Sequence, residues 1–194
     1  MRENFVSLYE QKKSGNDLAF NITTGVLIAL MFVMVILNTF VFFIVSVSGS
    51  SMEKTLYTGD CLVVNKYKQA DYGDIVIVER ENKLVIKRVV ALGGDSVKIE
   101  DGKVYLKKSG KQGYRVLSED YINGNFTTVE LNAESEWVLD SDEIFYLGDN
   151  RVGKASYDCR AYGPVKVESV LGVVENWSIS IKGFLGKLNK LTLK

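Results

Sequence analysis

Residues 96–106 read S-V-K-I-E-D-G-K-V-Y-L. Two segments that alternate apolar and polar residues flank Asp101-Gly102, the strongest short-range signal for a β-hairpin. Working outward, the same short β-branched runs recur as K-L-V-I-K-R-V-V-A-L (83–92), D-I-V-I-V-E (74–79) and C-L-V-V-N-K-Y (61–67) on one side. On the other side come W-V-L (137–139), E-I-F-Y-L (143–147) and V-L-G-V-V-E-N-W (170–177). Gly59-Asp60, Gly73-Asp74, Gly93-Gly94 and Gly148-Asp149 punctuate these runs as turns. The polar stretch from about 107 to 135, with Gly113 and Asn123-Gly124, reads as a variable loop or hairpin insertion. The expectation is a mainly β domain of many short antiparallel strands.

The pattern breaks toward the amino terminus. No charged residue occurs from Leu18 to Met52, and residues 26–45 are almost wholly apolar. About 20 such residues span roughly 30 Å as a helix, the hydrocarbon thickness of a bilayer. Ser46 and Ser48 stand where a signal-peptide cleavage site would, but the run exceeds the 7–15 apolar residues or so of a cleaved signal, so an uncleaved signal anchor is favoured. The expected organisation is a cytoplasmic tail at 1–17, one transmembrane helix at 18–47, an extracytoplasmic β domain at 48–181 and a basic, weakly amphipathic tail at 182–194. Lys12 and Lys13 before the span favour a cytoplasmic amino terminus in the cell membrane. In the last segment Phe184, Leu185, Leu188 and Leu191 fall near helical spacing, which leaves a membrane-surface helix and a frayed terminus both open.

Composition removes several kinds of chemistry. Lys+Arg 24 balance Asp+Glu 24, so no global field attracts nucleic acid. With His 0, the Ser-His-Asp, Cys-His and H-E-x-x-H arrangements are all excluded, and a general base must be Lys, Asp, Glu or Tyr. Cys61 and Cys159 lack C-x-x-C spacing and read as small core residues, with a disulfide left open. No cofactor or metal is called for.

Directly after the apolar run, residues 47–60 read V-S-G-S-S-M-E-K-T-L-Y-T-G-D. Ser51 there is either a solvated turn residue or a nucleophile at the end of a membrane anchor. A serine without histidine needs another base, and a neutral lysine serves in known Ser-Lys variants. Lys87 is the candidate. Alternation puts Val85, Lys87 and Val89 on one face of their strand, with Ile86, Arg88 and Val90 on the other. A lysine between valines is either snorkelling from an edge strand or buried, and burial moves an amine toward a basic role at neutral pH.

G-S-S-M-E-K-T-L (49–56) resembles the nucleophile box of bacterial type I signal peptidases, G-x-S-M-x-P-T-L. Y-G-D-I-V-I-V (72–78) resembles the G-D-I-V strand that follows it in the family, and K-R-V-V-A-L-G-G-D (87–95) the lysine box, K-R-V-x-G-x-P-G-D. G-D-N-R-V-G-K-A-S-Y-D-C-R-A-Y-G (148–163) resembles the last box, G-D-N-R-x-x-S-x-D-S-R-x-x-G. The boxes come in family order behind one apolar segment. The resemblance implies the signal-peptidase β fold, Ser51 as nucleophile and Lys87 as general base. It also implies that Ser156 orients the lysine amine, that Asp158 and Arg160 form an ion pair, and that Arg88 and Asp149 support the adjoining turns. The Ser51 N–H would be one oxyanion donor; Gly49, two before the nucleophile and three before Met52, is the Gram-positive form. Lys54 replaces a box proline, Ala91 and Gly93 replace a glycine and a proline, Cys159 replaces a serine, and two additional residues lie between Arg151 and Ser156.

The resemblance implies an endopeptidase that removes signal peptides from exported preproteins after small residues, at A-x-A-like sites, with preproteins and membrane lipid as partners. Two other readings stand beside it: an anchored accessory protein that binds preproteins without cutting them, and a self-cleaving Ser-Lys repressor-type protease. The latter would need a soluble DNA-binding segment where this chain has its apolar run.

Overall fold

The computed structural model describes residues 2–122, 128, 131, 135–152 and 155–192, with side chains left aside for 2–16 and 187–192. The Asn123-Gly124 turn, the two additional residues before Ser156 and the Leu188 and Leu191 side chains lie outside the described part. The elements are α1 (Arg2–Val41), β1 (Phe42–Ser46), β2 (Cys61–Asn65), β3 (Ile75–Arg80), β4 (Lys83–Ala91), β5 (Ser96–Glu100), β6 (Lys103–Lys107) and β7 (Arg115–Val116). They continue with β8 (Glu136–Val138), β9 (Glu143–Leu147), α2 (Cys159–Tyr162), β10 (Val165–Lys166), β11 (Val170–Val174) and α3 (Asn176–Thr192). The chain divides into two units, Met1–Phe42 and Phe43–Lys194.

The first unit is the single helix α1. Its segment Asp17–Val41 has a mean hydropathy of 2.4, and 25 residues of helix reach about 37 Å, enough to cross a bilayer. Four polar side chains within it are turned back on their own helix. Thr23, Thr24, Asn38 and Thr39 each donate to the carbonyl four residues earlier, at 2.7 to 2.8 Å, which limits their cost in hydrocarbon. The helix differs from the expected 18–47 at both ends. It extends back to Arg2, because residues 2–17 hold one glycine and no proline to stop propagation. It stops at Val41, and Phe42–Ser46 is a strand.

The second unit holds two sheets. The larger has the order β1-β2-β11-β3-β4-β9-β10 and the smaller β7-β6-β5-β8. The pairings from β2 through β10 and all those of the smaller sheet are antiparallel. Strand β3 is covered on both faces: Val76 and Val78 pack into one core cluster and Ile75 and Ile77 into another, which is why its sequence is continuously apolar. The first cluster joins the sheets through Trp137 on β8 and Phe145 on β9, whose rings lie 4.9 Å apart.

The expected Asp101-Gly102 hairpin connects β5 and β6, with both turn residues at positive φ (50° and 73°) as a two-residue turn requires. A second such turn, Glu81-Asn82 at φ 50° and 59°, connects β3 and β4. On β4, Val85 and Val89 pack into the first cluster and Ile86 into the second, as alternation requires. Val90 departs from the expected face and packs with Val89. The register against β9 shifts between Val89 and Ala91, and a bulge there interrupts the period of two. Cys61 and Cys159 are both buried and free. The expected tail from residue 182 is the second part of α3, which begins at Asn176 soon after β11.

Candidate active site

Ser51 lies on the loop between β1 and β2, which closes on itself: Val47 N donates to Asp60 O at 2.8 Å and Gly59 N to Val47 O at 2.9 Å. Met52 and Leu56 are its buried anchors, joined by a Leu56 N to Met52 O bond of 2.8 Å. Gly49, at φ 95°, makes the bend before the serine. The residues after β9 hold the loop from the other side. Asn150 donates its backbone N–H to Ser51 O and its side-chain amide to Ser50 O, both at 3.0 Å. Asp149 accepts from Thr55 Oγ1 at 2.5 Å and from Arg88 through two bonds of 2.8 and 2.6 Å. Gly148 carries no side chain because none fits: a Cβ there would lie 2.2 Å from Ser156 Oγ and 2.5 Å from Ser51 O.

Strand β4 delivers the amine. Lys87 Nζ lies 2.9 Å from Ser51 Oγ and donates to Ile86 O at 2.9 Å, with the residue only 3% exposed. Burial pushes its pKa below the ordinary lysine value, against an opposing pull from the Asp158 carboxylate. Serine hydroxyl and lysine amine are thus in contact in a site that disfavours the charged amine.

Beyond Lys87 sits a second buried pair. Arg160 grips Asp158 through Nε and Nη2, each at 2.8 Å, and both side chains are fully buried. Asp158 also accepts from Gly148 N at 2.9 Å and Ser156 Oγ at 2.8 Å, and caps α2 by accepting from Arg160 N. The Ser156 hydroxyl therefore goes to Asp158, whereas the resemblance implied an orienting contact with Lys87. Among the described residues the hydrogen bonds of Lys87 Nζ go to Ser51 and Ile86.

Three contributors carried no assigned role in the sequence reading. Asn150 and Thr55 fall inside quoted boxes, which was their only signal. Lys182, on α3, had none: its Nζ donates to Thr55 O and pairs with Asp60 Oδ2 at 3.3 Å, so the carboxy-terminal helix grips the Ser51 loop. Beside Ser51 and Lys87 opens a cleft of about 260 Å³ lined by residues 45–49 and 84–87.

A family model described as signal peptidase, peptidase S26, matches residues 20–178. The chain belongs to this family. Signal peptidase I V of Bacillus subtilis is 30% identical over 149 residues, covering 70% of this chain and 85% of that protein. Signal peptidase I of Bacillus caldolyticus is 34% identical over 151 residues, covering 72% and 80%. The protein is accordingly a signal peptidase, a hydrolase of the serine peptidase class that removes signal peptides, and its apolar helix fits a membrane-anchored member.

Two departures from the signal peptidase boxes now have physical reasons. Gly93, where the family has proline, passes so close to Ser141 that a Cβ would stand 2.2 Å from its carbonyl oxygen. Lys54, at the other lost proline, has φ 82°, which a proline ring fixed near −65° cannot reach. Lys54→Pro is therefore expected to lower stability, as read by thermal melts of the variant beside the parent chain.

Proposed function

We propose that Ser51 is the nucleophile and Lys87 the general base of this signal peptidase, and that the chain cuts exported preproteins after small residues on the outer face of the cell membrane. The observation that carries the dyad is the 2.9 Å contact between Ser51 Oγ and a buried amine. In its neutral form the amine has a lone pair to accept the Ser51 proton. Ser51 Oγ attacks the scissile carbonyl while Lys87 takes the proton. The C–N bond then breaks as Lys87 returns the proton to the leaving amine, leaving an ester on Ser51. Lys87 next deprotonates a water that hydrolyses the ester. The Ser51 N–H would supply one oxyanion donor, and Asn150 fixes that peptide by holding the carbonyls of Ser50 and Ser51. Ser156 acts on the amine indirectly, by fixing Asp158.

The cleft supports an extended substrate that lies as an additional strand between residues 45–49 and 84–87. We place residues 1–16 in the cytoplasm, Asp17–Val41 across the membrane and the unit from Phe43 outside. The supports are Lys12 and Lys13 before the span and the absence of lysine from there to Lys54.

The test is turnover of a signal-sequence peptide with an A-x-A site by the detergent-solubilised chain, followed by mass spectrometry. Cleavage after the second alanine, lost in Ser51→Ala, is the expected result. The rate should rise with pH through a single ionisation below the ordinary lysine value of 10.5, because only neutral Lys87 accepts the proton. No cleavage by a folded chain would return the accessory-binding reading.

Lys182 is a positioning residue in this scheme. Lys182→Met should lower kcat about tenfold, with KM nearly unchanged, since small displacements of a nucleophile cost rate steeply. Lys182→Arg should recover part of the loss; a change confined to KM would remove the positioning role.

A further inference from the structure

Helix α3 has two faces with different employment. On the inner face Ser178 Oγ accepts from Val63 N at 3.2 Å, Lys182 holds Thr55 O and Asp60, and Gly186 passes so close to Gly59 that a Cβ would lie 2.2 Å from its carbonyl oxygen. This face already fixes the helix to the β unit. On the outer face Trp177, Ile181 and Phe184 stand 55%, 40% and 65% exposed. Their spacing of four and three residues puts them on one stripe. Three large apolar side chains in a row on a helix held from its other side mark a surface that binds something.

The chemistry of the segment selects the occupant. Beyond Lys182, which Asp60 already pairs on the inner face, residues 183–194 contain Lys187, Lys190 and Lys194 and no acidic residue, in a chain whose formal net charge is +0. An apolar stripe next to a local excess of lysine is the pattern of a helix lying in a lipid interface with anionic headgroups. The same chain carries a bilayer-length apolar helix, so that a lipid surface is always within reach by covalent connection. We propose that α3 is an interfacial helix whose Trp177, Ile181 and Phe184 stripe seats in the acyl-headgroup boundary of an anionic membrane. The proposal rests on the reading of α1 as a membrane anchor but is independent of the catalytic dyad.

Trp177 is its own probe. The chain has two tryptophans, and the other, Trp137, is buried in the core. The full chain is reconstituted into vesicles of phosphatidylglycerol and phosphatidylcholine, with or without bromine on the acyl chains, and the signal of Trp177→Phe is subtracted. The expected result is a shift of Trp177 emission to shorter wavelength and its loss on bromination, weaker in phosphatidylcholine alone. Ile181→Asp combined with Phe184→Asp should abolish the quenching yet keep turnover of a short soluble peptide, which separates lost docking from lost folding. Unquenched Trp177 in brominated anionic vesicles would overturn the proposal. So would equal quenching in both lipids at all salt concentrations, or burial of Trp177 that depends on protein concentration in detergent, which would assign the stripe to a second copy.

Discussion

Lys87→Met is expected to lower kcat on a signal-sequence peptide by about 10³-fold, while the domain keeps its fold and melts at a temperature equal to or above that of the parent chain. The two halves of this outcome have one cause. Lys87 sits between Val85 and Val89 on β4 with 3% of its surface exposed, where methionine fills much the same space without the cost of burying an amine. What the substitution removes is the only basic nitrogen within 2.9 Å of Ser51 Oγ among the described residues. Burial lowers the Lys87 pKa in the folded chain, so between that lowered value and 10.5 the unfolded chain binds a proton that the folded chain does not. Stability of the parent relative to Lys87→Met should thus rise with pH through that window and be lost as pH falls through the folded value. Paired thermal melts across pH measure this. A large residual rate in Lys87→Met would remove the dyad, and a flat stability difference would remove the buried neutral amine.

How much of this was visible in the residues varied from element to element. The β5–β6 hairpin was legible because Asp101-Gly102 advertises positive φ. The equivalent turn at Glu81-Asn82 was not, since both residues adopt positive φ without glycine. Strand β1 was hidden for another reason: F-F-I-V continues an apolar run, and a short apolar run reads the same for a helix and a buried strand. Only the sheet decides it, with Phe43, Val45 and Val47 packed inward and Ile44 exposed. The bulge after Val89 depends on the pairing with β9, about which the β4 sequence is silent. At the site, four ordered boxes pointed to Ser51 and Lys87, which the structure brings to 2.9 Å, although alternation alone left Lys87 even between a buried and a snorkelling role. The destination of the Ser156 hydroxyl was out of reach, because it turns on Gly148 and Asp158 converging in space. So was Lys182, whose partner Thr55 is 127 residues away.

The second large effect is expected at the buried pair. Arg160→Met strips Asp158 of the two guanidinium bonds and leaves a carboxylate with 0% exposure supported by Gly148 N, Ser156 Oγ and the backbone of α2. Removing one partner of such a pair costs about 3–5 kcal/mol, a large part of the roughly 5–15 kcal/mol that holds a domain together. A drop in melting temperature on the order of 10 °C follows. Asp158→Asn with Arg160→Met should recover much of it, because the uncompensated charge is then gone while an amide oxygen still accepts from Gly148 N and Ser156 Oγ. The pair also acts electrostatically on Lys87, with Asp158 raising its pKa and Arg160 lowering it. Arg160→Met, assayed below its melting point, should therefore shift the rising limb of the rate to higher pH; the double variant, which loses both influences, should shift it back. Recovery of stability without recovery of the pH limb would make the pair purely structural. Recovery of both would tie the base strength of Lys87 to a carboxylate that never meets the substrate.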